Sequence, residues 1–132
     1  MLPIIGDAFA QALDASALTL ALYDADRDAL VVRYAYGLWQ NLAGQAIRAR
    51  DGITGYAFSQ GELYVQDHVL DDPHRLADPR VRYPSCMAVV PLVAGEHRLG
   101  AITVGREQRF HPADQMMLIS LSEFAASALH RA

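Results

Sequence analysis

Residues 86–105 read CMAVVPLVAGEHRLGAITVG. Two apolar runs, 86–93 and 99–105, flank a polar turn at residues 94–97. Apolar runs of this length that are separated by a few turn residues are typical of a β-hairpin. The segment therefore predicts a pair of adjacent antiparallel strands.

A second hairpin is predicted nearer the N-terminus. Residues 17–23 and 29–36 alternate in character, and residues 24–28 form a polar turn between them. Because successive side chains of a strand point to opposite faces, this alternation assigns each residue to a face. One face of the first strand is expected to carry Leu18, Leu20 and Leu22, and one face of the second to carry Leu30, Val32, Tyr34 and Tyr36.

Helical spacing marks both ends of the chain. Residues 4–14 place apolar side chains three or four positions apart, and Pro3 suits the first turn of that helix. Residues 112–131 begin with Pro112 and Asp114, which are residue types favoured at a helix start, and carry more than one apolar stripe. We expect one stripe to pack on the sheet and another to pack on a second helix or a second copy of the chain.

The middle of the chain is less regular. Residues 51–61 predict a short helix, and short strands are predicted within residues 44–50 and 63–65. Residues 67–84 contain several prolines and no clear period. A stretch this long without a period is usually a functional loop, and we name residues 67–84 the lid.

Composition limits the possible functions. The chain has 132 residues, a size that fits one domain over residues 1–132, and a net charge of -4 that argues against nucleic acid or an anionic membrane as its main partner. Its one cysteine allows no internal disulfide and fits a reducing compartment. No apolar run is long enough to span a bilayer, and the start lacks the basic region of a signal peptide. We therefore expect a cytoplasmic protein.

Several segments together resemble the GAF domains of signalling proteins. They are Gly52-Ile53-Thr54-Gly55-Tyr56-Ala57, then Gly61, Glu62, Val65, Asp67 and Asp72-Pro73, then Ser85 with Ala88-Val89-Val90-Pro91-Leu92 and residues 99–104, and finally Phe110 and Asp114. The resemblance covers nearly the whole chain in order and spacing. It implies an α+β, PAS-related fold with a six-stranded antiparallel sheet, terminal helices on one face, and a small-molecule pocket under the lid on the other face.

The resemblance also implies a sensory role. GAF domains usually bind a small ligand or pair with a copy of themselves, and they relay the change to an output domain. Such output domains are often histidine kinases, as in bacterial two-component signalling, cyclases or phosphodiesterases, or transcription regulators. None of these is part of the sequence, which also does not identify a cofactor or the ligand.

Pocket walls need aromatic and apolar side chains with a few polar groups. Residues of this kind lie on the predicted sheet face, in the short helix and in the lid. The predicted ligand-binding residues are Tyr36, Trp39, Tyr56, Phe58, Asp67, Tyr83, Ser85, Cys86 and Met87. Each of them has the alternative role of packing the core.

Cys86 is expected to face the pocket from the start of its strand, where a thiolate would serve as nucleophile, redox sensor or chromophore anchor. Isolated cysteines are more often inert and apolar. GAF-like enzymes that reduce free methionine sulfoxide use several cysteines, and bilin-binding GAF domains commonly have a histidine after the cysteine. Here the cysteine is single and is followed by Met87.

The residues do not favour a metal, haem or cyclic-nucleotide site. His68 and His74 lie among carboxylates in the lid, but their spacing enforces no zinc geometry, and a wet loop does not suit a haem ligand. No metal site is therefore predicted. Cyclic-nucleotide GAF domains share Phe110 and Asp114 with this chain, but Gln115 stands where glutamate is expected.

Three functions follow from these observations. The leading hypothesis is a sensory module that is not an enzyme. The second is a dimerisation scaffold without a ligand, and the third is a redox activity of Cys86. For the first two, a homodimer through the terminal helices is expected to use Phe9, Leu13, Met117, Leu121, Phe124 and Leu129.

Overall fold

The computed structural model describes residues 1–131 and shows an α+β fold, as predicted. The strands form one antiparallel sheet in the order β3-β2-β1-β6-β5-β4. Their bounds are Ala17–Asp24 for β1, Ala29–Gly37 for β2, Ala46–Arg48 for β3, Tyr64–Gln66 for β4, Cys86–Ala94 for β5 and His97–Arg106 for β6. The helices are α1, Leu2–Ala12, α2, Gly52–Gln60, and α3, Pro112–Arg131, with short 3-10 helices at Gln40–Leu42 and Val69–Asp71.

The sheet separates two hydrophobic cores. On the first side, which we call the helical face, leucine and valine side chains of β1, β5 and β6 pack under α1 and α3. On the second side, the cavity face, the same strands pack against α2, the Gln40–Leu42 helix and the lid. Alternation along each strand divides its residues between these cores, which places the lid and the terminal helices on opposite sides of the sheet.

A β-bulge in β2 changes the face on which its later residues lie. Leu20 pairs with Tyr34, but the next residue of β1, Ala21, pairs with Val32, so one extra residue of β2 lies between them. An extra residue exchanges the two faces for everything beyond it. Val32 consequently packs on the cavity face and Tyr34 on the helical face, so the prediction that they share a face is wrong.

Arg106 joins both terminal helices to the sheet. Its guanidinium donates to the carbonyl of Leu13 just after α1 and, at 2.7 Å, to the carboxylate of Asp114 in the first turn of α3. Asp114 also accepts the backbone N–H of His111 at 2.9 Å, and Arg106 lies 4.2 Å from the ring centre of Phe110. Phe110 and Asp114 therefore have a structural role at the start of α3.

Part of the predicted dimer interface on the terminal helices is wrong. Phe9 and Leu13 are each 1% exposed, because they fill the core between α1 and the sheet. They are not available to a partner in this fold. Leu121 and Leu129 are half-buried against the same core, whereas Met117 and Phe124 are exposed.

Among the described residues, no helix combines the length and apolarity that crossing a bilayer requires.

Candidate functional site

A cavity of about 300 Å³ lies between the cavity face of the sheet and the lid. Its floor comes from β1, β2, β5 and β6, one wall from the first turn of α2, another from the segment that joins β2 to β3, and its roof from the lid. The lining residues are Thr19, Val32, Trp39, Leu42, Gln45, Ala46, Ile47, Arg48, Asp51, Gly52, Ile53, Thr54, Leu76, Asp78, Arg80, Val81, Tyr83, Met87 and Thr103.

Small side chains on the central strands leave room for this cavity. Where larger residues fill the helical face, β1 presents Ala17, Thr19 and Ala21 to the cavity face, and β6 presents Ala101 and Thr103. A sheet with large side chains at these positions would fill the space by close packing. The small residues on the cavity face of β1 and β6 therefore leave the space that forms the cavity.

Threonine hydroxyls supply the polar part of the floor. Thr103 is 2% exposed, and its hydroxyl lies 2.7 Å from that of Thr54 on α2, within hydrogen-bonding distance. Thr19 pairs with Thr103 across β1 and β6 and is 7% exposed. Within residues 1–131, the Thr19 hydroxyl has no hydrogen-bond partner. Thr19 therefore presents an unused hydroxyl to the cavity.

Charged side chains surround the mouth. The guanidinium of Arg80 lies 2.8 Å from the carboxylate of Asp78 and donates to the Gln45 side-chain oxygen at 2.7 Å, so lid and wall are joined here. This pairing raises the pKa of Arg80 and lowers that of Asp78. Arg48 and Asp51 also line the cavity, and neither forms an ion pair with another described residue. Arg48 pairs with Ala29 across β2 and β3, so its side chain lies on the other side of the sheet.

Hydrogen bonds attach the lid to the wall. The indole N–H of Trp39 donates to the carbonyl of Arg82 at 2.8 Å, and the side-chain amide of Asn41 donates to the carbonyl of Arg80 at 2.9 Å. Within the lid, the Tyr83 hydroxyl donates to the carbonyl of Leu76 at 2.7 Å. These bonds to backbone carbonyls fix the path of residues 76–83 over the cavity.

The N-terminal part of the lid is anchored by Asp72, which is 6% exposed. Its carboxylate accepts bonds from the Tyr64 hydroxyl, from the Gln66 amide at 2.9 Å and from the backbone N–H of His74 at 2.7 Å. Burial pushes the pKa of Asp72 upward, but these hydrogen bonds outweigh it and leave the pKa below its usual value. Burial and the bond to Asp72 raise the pKa of Tyr64 to about 12.

Three of the predicted ligand-binding residues, Trp39, Tyr83 and Met87, line the cavity. Tyr36 does not, because the bulge in β2 turns it to the helical face, where it pairs with Leu18. The ring of Tyr56 stacks on His74 of the lid at 3.6 Å, outside the cavity lining. Phe58 is buried in the core, where its ring centre lies 5.1 Å from that of Tyr23.

Cys86, Asp67 and Ser85 form a separate group at the edge of the sheet. The expectation that Cys86 faces the cavity is wrong, since its side chain packs on the helical face. Its thiol lies 3.6 Å from the carbonyl oxygens of Asp67 and Glu107, and burial, with the nearby carboxylates, raises its pKa. Asp67 pairs with Arg109 at 3.2 Å, and the backbone N–H of Ser85 donates to Glu107 at 2.7 Å.

Sequence reasoning missed the threonines and the charged mouth. Thr19 and Thr103 are polar residues in otherwise apolar strands, which is a signal that something polar faces them. Arg48 and Arg80 carry no comparable signal, because arginines are common on any surface. Among the described residues, no group of three or more histidine, cysteine or carboxylate side chains is arranged to hold a metal ion.

Comparisons with known proteins agree with this architecture. A family model described as GAF domain matches residues 1–130. The GAF domain of a phosphoenolpyruvate-protein phosphotransferase from Coxiella burnetii is similar, with a TM-score of 0.89 and 16% identity over 98% of this chain and 80% of that chain. The second GAF domain of DevS from Mycobacterium smegmatis has a TM-score of 0.78 and 19% identity over 95% of this chain and 87% of that chain.

An enzyme shares the fold as well. The free methionine-R-sulfoxide reductase from Neisseria meningitidis, solved in complex with its substrate, has a TM-score of 0.77 and 23% identity over 95% of this chain and 76% of that chain. No curated protein matches the chain. At these identities the solved structures show a shared fold alone. The family model, by contrast, covers nearly every residue, and the chain belongs to the GAF domain family.

Proposed function

We propose that this chain is a sensory and regulatory domain that binds a small molecule beneath the lid. The observation that carries the proposal is the cavity of about 300 Å³ between sheet and lid, with apolar walls and a few polar groups. Its volume is at the low end of the roughly 300–1,000 Å³ typical of small-molecule sites. That size favours a small metabolite over a large chromophore such as a bilin or haem.

The relay is proposed to run through the sheet to the terminal helices. Adjacent residues of β5 contact opposite sides, because Met87 lines the cavity while Ala88 packs under the terminal helices. A ligand that binds one arrangement of lid and strands more tightly than another shifts the balance between them. The helices then carry this shift to an output domain or a partner subunit.

A thermal-shift screen of nucleotides, amino acids and organic anions tests ligand binding. A compound at about 100 times its dissociation constant adds about 2.7 kcal/mol of stability. For a domain of this size, each kcal/mol raises Tm by roughly 4 °C. We expect at least one compound to raise Tm by several degrees, and a screen in which none does so would contradict ligand binding.

A pair of neighbouring substitutions locates the binding site. Val32 lines the cavity, so Val32→Phe fills part of it and should abolish the Tm rise. Val31 precedes it on β2 and does not line the cavity, so Val31→Phe is the matched control and should retain the rise. An equal ligand response in Val32→Phe and wild type would place binding elsewhere.

A homodimerisation scaffold is the second candidate, favoured by the exposed side of α3. Phe124 is 79% exposed and Met116 is 70% exposed, although both are large and apolar. Large exposed apolar residues on one helix are characteristic of an interaction surface. In this candidate Met117, Leu121, Phe124 and Leu129 contact a second copy, and ligand binding is not required.

A further inference from the structure

The first turn of α2 faces the cavity with free backbone donors. Gly52, Ile53 and Thr54 all line the cavity, and the Asp51 side chain makes no capping bond to them. The first N–H groups of a helix have no partner within the helix, and they coincide with the positive end of its dipole. This arrangement suits a negatively charged oxygen.

Thr19 gives an independent indication of a ligand. It is 7% exposed, lines the cavity, and has an unpartnered hydroxyl within the part of the chain that the structure describes. The Thr19 oxygen is not sealed in the core and is accessible from the cavity, so it is free to bond to a ligand. We therefore expect the ligand to carry a second polar atom besides the oxygen at α2.

The charges at the mouth define the ligand further. Arg80 and Asp78 neutralise each other. Arg48 pairs with Ala29 across β2 and β3, so its side chain lies on the side of the sheet away from the cavity and supplies no charge to it. Asp51 adds one negative charge at the mouth. One anionic group is attracted by the positive end of α2, whereas a second would meet Asp51.

The apolar walls favour a short hydrocarbon body, since most of the remaining lining comes from residues such as Val32, Ile53 and Met87. We propose that the ligand is a small monocarboxylate that carries a hydroxyl or oxo group. Its carboxylate lies at the first turn of α2, and its second oxygen bonds to Thr19. This assignment rests on the proposed function and specifies the chemistry of the same cavity.

Calorimetric titration with four related compounds tests the assignment. The probes are 2-hydroxyhexanoate, hexanoate, 2-hydroxyhexanamide and 2-aminohexanoate. The hydroxy acid should bind best, because loss of the carboxylate charge is expected to weaken binding about 10-fold or more and loss of the hydroxyl about 5-fold. The amino acid tests whether the second group must be an oxygen, because an ammonium group also donates to a threonine hydroxyl.

One variant and one control connect the hydroxyl preference to Thr19. Thr19→Val keeps the shape of the side chain and should abolish the preference for 2-hydroxyhexanoate over hexanoate. Arg50→Gln is the control and should retain both preferences, since Arg50 pairs with Asp28 at 3.4 Å and does not line the cavity.

Any one of three results would overturn the assignment. The acid and the amide could bind equally, the hydroxyl preference could be unchanged in Thr19→Val, or the amino acid could bind more strongly than the hydroxy acid. Failure of all the carboxylates to bind at millimolar concentrations would overturn it too. The wider thermal-shift screen separates this failure from that of the proposed function. A neutral or cationic hit that Val32→Phe abolishes would overturn only the carboxylate, whereas a screen without hits would overturn both.

Discussion

Trp39 connects the wall of the cavity to the lid. It is 2% exposed and donates its indole N–H to the carbonyl of Arg82. Its ring lies over Gly105, where an added Cβ would lie 2.8 Å from the Trp39 ring and 2.6 Å from the Cγ atom of Pro84. Only glycine leaves enough room at position 105 for both neighbours.

Gly105→Ala should therefore move Trp39 and loosen the lid. Crowding a packed interior by a methyl group typically costs about 1–3 kcal/mol, which urea unfolding followed by circular dichroism measures. Trp39 is the only tryptophan of the chain, so its emission should also shift to longer wavelength. Gly95→Ala is a control, because its Cβ meets open space and only its φ of +61° is strained. Wild-type emission in Gly105→Ala would contradict this account.

Cys86 is expected to be unreactive in the folded protein. Burial raises the pKa of its thiol, so the thiol remains protonated at neutral pH, and a thiol reacts through its thiolate. A disulfide reagent at pH 8 should modify the folded protein far more slowly than the urea-unfolded protein. Rapid modification of the folded protein would restore the redox hypothesis.

Sequence patterns did not predict on which side of the sheet the side chains of Tyr36 and Cys86 lie. Cys86 and Met87 are adjacent in a strand and must point to opposite sides, so only one of them can line the cavity. Hydropathy does not say which one, because both cores are apolar. For Tyr36 the bulge decides, and an extra residue in β2 becomes visible only when β2 is paired with β1.

Among the elements, the lid depends most on a single carboxylate. Asp72 accepts three hydrogen bonds, from β4 and from the lid itself, and the neighbouring His74 stacks on Tyr56 of α2. The lid is therefore attached at both ends, by Asp72 at its start and by the bond from Trp39 near its finish.

Acid should release the N-terminal attachment. Because the pKa of Asp72 is lowered in the folded protein, its contribution to stability is complete above about pH 4 and is lost as the pH falls through the folded value. The protection of residues 73–84 against hydrogen exchange, measured relative to the intrinsic exchange rate at each pH, should fall below about pH 4. In Asp72→Asn, exchange should already be faster at neutral pH and should lose this acid dependence.

Asp71→Asn is the control for that experiment, since Asp71 is exposed and next in sequence. It should behave like wild type. Slow exchange of residues 73–84 in Asp72→Asn at pH 7 would mean that the anchor lies elsewhere.

The two hairpins and the terminal helices were predictable because they have a clear period, and α2 was predictable from residues 51 and 61 at its ends. The two short 3-10 helices were not predicted. The internal structure of the lid was not predictable either. Its path depends on bonds from Trp39, Asn41 and Tyr64 to partners far along the chain, and no local pattern encodes them. The threonine floor was also not predictable from a local pattern, because its residues come from β1, β6 and α2.

At the scale of the whole molecule, α3 exposes several large apolar side chains. It buries Leu118, Ala125 and Ala126 against the sheet but leaves Phe124 at 79% exposure. A relay through the terminal helices needs a partner on this side, whether an output domain or a second copy.

Phe124→Glu should disrupt a homodimer without unfolding the domain. Because Phe124 is exposed, the change costs little stability, whereas a charge placed in an apolar interface is strongly unfavourable. Sedimentation equilibrium should give a dimer for the wild type and a mass of 14.5 kDa for the variant. Leu70→Glu, at a lid residue that is 65% exposed, is the control and should remain dimeric. A wild type that stays monomeric at high concentration would contradict the homodimer.

The central claim is that a small molecule occupies the cavity under the lid, and Trp39 emission tests it most directly. This single tryptophan lines the cavity and bonds to the lid, so a bound ligand must alter its surroundings. Titration with the compound that raises Tm most should change the emission saturably in wild type and Val31→Phe, and should leave Val32→Phe unchanged. A compound that raises Tm without altering Trp39 emission, or that saturates Val32→Phe equally, would contradict the account.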